Sequence, residues 1–170
     1  MRSTETRDII CEFVRLNPGT SARAIQRSLE LGWGATAHHL RTLREMGSLQ
    51  RLREGRMDQY FSNQLSPVEC RILSAMQSEV QRTILVVLVH RGSLTLADLQ
   101  SSTGVPRSTL SFHLRNLLGR GLVVGDPTGI ATHYQISSPG DVERLYRQYH
   151  SGKDTARDRF ASVWGGLVRD

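Results

Sequence analysis

Between Arg107 and Arg115 the chain reads RSTLSFHLR, with short hydroxyl side chains between apolar ones and an arginine at each end. Helical spacing gathers Leu110, Leu114 and Leu117 on one side. It leaves Arg107, Ser108, Thr109, Ser111, Phe112 and Arg115 on or near the other. Small hydroxyls let a backbone come close to phosphates, and an arginine is long enough to reach a base edge with two parallel donors. A helix of this size fits the major groove of a duplex.

The same pattern stands 74 positions earlier. His39-Leu40-Arg41 matches His113-Leu114-Arg115, and without any gap Ile10 matches Ile84, Gln26 matches Gln100, Ser28 matches Ser102, Leu43 matches Leu117, Gly47 matches Gly121 and Tyr60 matches Tyr134. A fixed offset held that long marks a duplicated structural unit. The copies have diverged on their surfaces. The earlier helix presents Trp33, Ala35, Ala37, His38 and Arg41, which has fewer donors and more bulk. The segment after it carries Arg51, Arg53 and Arg56 against Glu54 and Asp58, whereas its later counterpart has Asp126 as its one formal charge. A basic hairpin tip follows a minor groove or its phosphates.

The elements that hold these residues can be read from periodicity and punctuation. Ile9, Ile10, Phe13 and Val14 share a helical face from Ser3 to Asn17, stopped by Asn17-Pro18-Gly19. A short helix is expected from about Ser21 to Leu29. A third follows the glycine-marked break, with Thr36, His39, Leu40 and Leu43 inward and Gly47 as C-cap. Then SLQRLREGRMDQYFS alternates about Glu54-Gly55-Arg56, the pattern of a β-hairpin. The second copy repeats the order, with Thr95 to Asp98 as a capping box, Pro106 in the first turn of the third helix, and two strands about a Gly125-to-Gly129 turn. Ser66-Pro67 and Ser138-Pro139 each introduce a further helix.

Three helices and a hairpin make a winged helix-turn-helix. PRSTLSFHLRNLLGRGLV, from Pro106 to Val123, resembles the recognition helix and first wing strand of ArsR- and MarR-like regulators of bacteria and archaea; ATAHHLRTLREMGSL follows that pattern less closely. The resemblance covers both repeats and implies a mainly α fold with small β-hairpin wings: two tandem winged helix-turn-helix domains plus C-terminal helices. It also implies sequence-specific binding of double-stranded DNA by a transcriptional regulator like the archaeal tandem winged-helix proteins, with one recognition helix per repeat.

Composition agrees with such a partner and argues against others. The formal net charge is +6, and all but one of the 22 basic residues are arginine. Arginine suits phosphate and guanine, although a GC-rich genome produces the same bias. The apolar runs are too short to span a membrane, and the N-terminus lacks a signal-peptide core, so a cytoplasmic protein is expected. Cys11 and Cys70 stand apart from any C-x-x-C pattern, and Cys11 reads as a core residue. His39 and His113 precede core leucines and read as hydrogen-bonded structural histidines at the helix-wing junction rather than metal ligands. No metal or other cofactor is expected. Hydrolase, zincin and Walker motifs are missing, so an enzyme is not expected.

The expected organisation is a first domain over residues 1–64, a second over 65–137 and a helical segment over 138–170. In that last segment Phe160, Val163, Trp164 and Leu167 recur at helical spacing. They form an apolar stripe that packs on its own chain or makes a homodimer. Three rival functions share this fold: a protein-interaction module, a sequence-tolerant architectural DNA binder, and a sensor with its ligand between the repeats or under the C-terminal helices.

Overall fold

The computed structural model describes residues 3–150, and the stripe from Phe160 to Leu167 lies outside them. The order is α1 (Ser3–Leu16), β1 (Thr20–Ser21), α2 (Ala22–Ser28), α3 (Trp33–Glu45), β2 (Leu49–Glu54) and β3 (Met57–Ser62), then the connecting α4 (Pro67–Ala75). The second unit follows as α5 (Glu79–Arg91), β4 (Leu94–Thr95), α6 (Leu96–Thr103), α7 (Arg107–Gly119), β5 (Val123–Asp126) and β6 (His133–Ile136), and α8 (Pro139–His150) closes the described chain. Each unit is a winged helix-turn-helix.

The 74-residue offset holds to the level of backbone register. In the first sheet, ordered β1-β3-β2, Thr20 pairs with Tyr60 and Leu49 with Ser62. In the second, ordered β4-β6-β5, Leu94 pairs with Tyr134 and Val123 with Ile136, the same positions displaced by one repeat. The third helices, α3 and α7, have bounds that coincide under the offset. Gly47 and Gly121 end them with φ of 71° and 68°, a left-handed backbone in which any side chain would be strained.

Local signals place the other helix starts. Ser66 accepts from the Glu69 amide while Glu69 accepts from the Ser66 amide, and Thr95 and Asp98 form the same reciprocal box. Two details differ from the sequence reading. Pro106 is the N-cap of α7 rather than a first-turn residue, because its extended ψ of 142° keeps it outside the helix. Gly125 and Asp126 belong to β5, so the second wing turns over residues 127–132, and there Asp126 accepts from the Thr128 amide at 3.0 Å.

The two cores meet across the first wing. One contains Ile10, Val14, Ile25, Leu40, Leu43, Leu49 and Tyr60; the larger one gathers α4, α5, α7 and α8 around Ile84, Leu88, Leu110 and Leu114. Strand alternation sends Tyr60 into the first and Phe61 into the second. The repeat-two counterpart of Phe61 is Gln135, which is exposed: among the described residues no further unit packs on that side of the second wing. Helix α8 is tied to the connection by Arg144, which bridges Glu69 at 2.5 Å and Asp141 at 3.1 Å.

Candidate nucleic-acid interface

Burial of Leu110, Leu114 and Leu117 fixes the rotation of α7. Arg107, Ser108, Phe112 and Arg115 are thereby exposed, while Thr109 and Ser111 are half-buried on its flanks. Helix α3 is held in the same rotation by Thr36, His39, Leu40 and Leu43, and Trp33, Ala35, Ala37, His38 and Arg41 face outward. Thr36 is fully buried and satisfies its hydroxyl by donating to the Gly32 carbonyl at 3.0 Å. Thr36 therefore serves the packing of the helix and leaves the outer face to its neighbours.

The first wing contributes unevenly. Arg51 bridges Asp58 on the paired strand at 3.0 Å, so its guanidinium is committed to the hairpin. Arg53 turns its Nε toward the Gly55 carbonyl at 3.4 Å, and Arg56 is exposed at the turn. Between α2, α3 and this wing runs a groove of about 550 Å³ whose lining includes Arg23, Arg41, Arg44, Arg56 and Trp33. Among its described lining residues the one carboxylate, Asp58, is the partner of Arg51. Arg41 also reaches Glu45 at 3.9 Å, an exposed pair of little energetic weight. A cleft lined by one sign of charge focuses its field and draws anions in.

Sequence reasoning missed Arg23 and Arg44. Arg23 stands on the outer side of α2, and Arg44 stands one turn beyond Arg41 at the end of α3. Only the folded arrangement of α2 beside α3 brings them into one groove. The offset then shows what the second unit has in their place: Ala97 for Arg23, Leu118 for Arg44, Ile130 for Arg56 and Arg107 for Trp33. Leu118, Val124 and Ile130 are exposed apolar residues there, as is Phe112, which is 56% accessible on the outer face of α7. One unit thus carries a cationic groove, and the other a donor-bearing helix among apolar neighbours.

The paired histidines each meet the first helix of their own unit. The Gln81 amide donates to His113 Nδ1 at 3.3 Å, and His39, 9% exposed, lies within electrostatic reach of Arg7, the repeat-one counterpart of Gln81. His39 Nδ1 is buried without a hydrogen-bond partner, so the bond expected for both copies is present in one. Burial holds both imidazoles below the ordinary histidine range; for His39, His38 and Arg7 add to that. The unfolded chain therefore takes up these protons first. Their contribution to stability is complete above the unfolded value of about 6.5 and is lost as pH falls toward the folded values. Melting temperature should fall between about pH 7.5 and pH 5, and less so in a His39→Gln, His113→Gln double variant; parallel profiles would contradict this assignment. Glu69 and Asp98, held below the ordinary carboxylate range by their cap hydrogen bonds, act at lower pH.

Cys11 is half-buried against the first core and Cys70 is buried in the second. Among the described residues no three histidine, cysteine, aspartate or glutamate side chains lie together as a metal site, and no single helix is long and apolar enough to cross a membrane.

Two family models match the chain: one described as an N-terminal HTH domain over residues 4–73, and one described as a helix-turn-helix domain over residues 65–126. No curated protein matches it. Among solved structures, HlyU from Vibrio cholerae is 30% identical, with 48% of this chain and 91% of that one covered and a TM-score of 0.42. Mb0332 from Mycobacterium bovis, described as a homodimeric winged helix-turn-helix DNA-binding domain of a possible ArsR-family regulator, is 24% identical, with 56% and 83% covered and a TM-score of 0.42. The AntR antimony-specific transcriptional repressor is 23% identical, with 44% and 68% covered and a TM-score of 0.40.

Proposed function

We propose, from the premise that this chain is a tandem winged helix-turn-helix protein resembling the ArsR-like regulators, that it binds double-stranded DNA at a promoter and regulates transcription there. The observation that carries this reading is the arginine groove between α3 and the first wing, directly beside the exposed face of a helix able to enter a major groove. One third helix per repeat engages the duplex. The second repeat reads sequence: Arg107 and Arg115 address base edges, and Ser108, Thr109 and Ser111 bring α7 close to the backbone. The first repeat supplies affinity, with Arg53 and Arg56 on phosphates beside Arg41 and its groove neighbours. The chain acts by occlusion or recruitment and performs no reaction.

The roles separate under substitution. Arg115→Ala should cost about 1 to 3 kcal/mol on a selected duplex and relax preference at one position. Arg53→Ala should weaken selected and random duplexes alike and reduce the salt slope by about one. Titration of both variants across a salt series checks this. Unchanged binding in both would assign these surfaces to another partner, and altered specificity in the Arg53 variant alone would reverse the roles.

A specific observation favours a second reading for the second repeat. Phe112, Leu118, Val124 and Ile130 expose apolar surface where the first repeat has His38, Arg44, Gln50 and Arg56. A protein-interaction module would use that surface, and Phe112→Ser would then abolish capture of the protein partner while leaving DNA affinity intact. Assembly into a homodimer belongs in this reading to the segment of Phe160, Val163, Trp164 and Leu167.

A further inference from the structure

The arginine groove of the first repeat also holds an aromatic surface. Trp33, at the start of α3, is 53% exposed, and Met57 of β3, 59% exposed, lines the same groove. Around them stand Arg23, Arg41, Arg44 and Arg56, all exposed. In an intact duplex the faces of every base are covered by its neighbours, so edges, sugars and phosphates are what a protein can reach. An indole gains little from these. An unpaired strand exposes the faces, and any base can then stack on an aromatic ring.

The fold does not require this surface. The second repeat builds the same helix and wing with Arg107 at the position of Trp33, and with Ala97, Leu118 and Ile130 at those of Arg23, Arg44 and Arg56. Two glycines flank the indole, where the second repeat has Pro106 and Ser108. Gly32 has φ of −65° and ψ of 145°, which other residues adopt readily, and Gly34 lies inside α3, where glycine is a poor helix former. A Cβ at either position would meet nothing within 4 Å. Neither backbone conformation nor packing within the chain calls for glycine there, whereas a bare backbone lets a ligand come close beside the ring. The first turn of α3 also carries no acidic residue to repel a phosphate.

We propose that this groove binds unpaired single-stranded DNA, with one base stacked on Trp33 and the flanking phosphates held by the arginines around it. Its volume of about 550 Å³ suits an occupant of nucleotide size. The strand is one exposed where a promoter duplex opens. Single strand and duplex then compete for the first repeat, while α7 keeps its own surface for the duplex. The choice of DNA over RNA rests on the proposed function; the stacking of an unpaired base does not.

The test uses the full chain and three probes: a single-stranded thymidylate oligomer, a uridylate RNA oligomer of the same length, and a mixed-sequence duplex. Anisotropy gives the affinity for each. Intrinsic fluorescence reports the indole, in a Trp164→Phe background that leaves Trp33 as the one tryptophan in the sequence. The expected result is saturable binding of the thymidylate oligomer with quenching of Trp33, and weaker binding of the RNA. Trp33→Ala should weaken thymidylate binding about tenfold, as for the loss of one stacked base, and change duplex affinity by less than about twofold. Trp33→Phe should recover most of the loss. If Trp33→Ala does not fold, quenching of Trp33 by the thymidylate oligomer and not by the duplex decides alone. The proposal is overturned by the absence of saturable thymidylate binding, by binding without quenching, by tighter binding of the RNA, or by a Trp33→Ala effect as large on the duplex as on the single strand. A chain that binds the duplex and not the oligomer overturns this proposal alone. One that binds the oligomer and not the duplex overturns the proposed function and leaves the stacking site standing.

Discussion

Replacing Arg23, Arg41, Arg44 and Arg56 together with glutamine should lower affinity for duplex DNA by about 10²- to 10³-fold at physiological salt. Each phosphate contact releases counterions and contributes roughly 0.9 to the slope of log affinity against log salt, or about 0.7 decade near 0.15 M. The slope should therefore fall by about three to four units if all four arginines of the groove meet phosphates. Glutamine keeps most of the side-chain length, and all four positions project from exposed helix or turn surface, so the fold should survive. Anisotropy titrations over a salt series, with melting curves as the control, measure this. A folded variant with unchanged slope would remove the groove from the DNA surface.

The second large effect concerns the cores. Leu114 is 2% exposed inside the larger cluster and Leu40, its counterpart, is 2% exposed in the smaller one. Truncating a buried leucine to alanine costs about 2 to 5 kcal/mol, because the lost transfer energy is joined by the cavity left behind. In domains of this size each kcal/mol moves the melting temperature by about 4 to 8 °C, so either variant should melt at least about 8 °C lower. Leu114→Ala should loosen α5 and α8 together, since both pack in its cluster, whereas Leu40→Ala should leave them protected from hydrogen exchange. Identical exchange patterns in the two variants would mean that the chain has a single cooperative core.

The fold was legible because duplication left its mark in register. His-Leu-Arg at the same place in both copies, Gly47 and Gly121 after the same number of residues, and apolar spacing at 3.6 and 2 were enough to place the three helices and the hairpin of each unit. The second wing was less legible, because Gly125 and Pro127 look like a tight turn while Gly125 pairs with Tyr134 inside the ladder. The site was legible only where one helix carries it. The outward face of α7 follows from its own leucines, but the arginine groove needs α2, α3 and β3 in three dimensions, so Arg23 and Arg44 gave no one-dimensional signal. The histidines showed the same limit. Their inward direction could be read, while the choice of partner depended on whether position 7 or 81 of the first helix supplied an arginine or a glutamine.

The most direct test of the account is titration of the wild-type chain with a labelled mixed-sequence duplex at low and at physiological salt. The account predicts binding at low salt that weakens steeply as salt rises, with the slope several units negative. No binding at low salt, or binding indifferent to salt, would contradict it and transfer the exposed faces of both repeats to a protein partner.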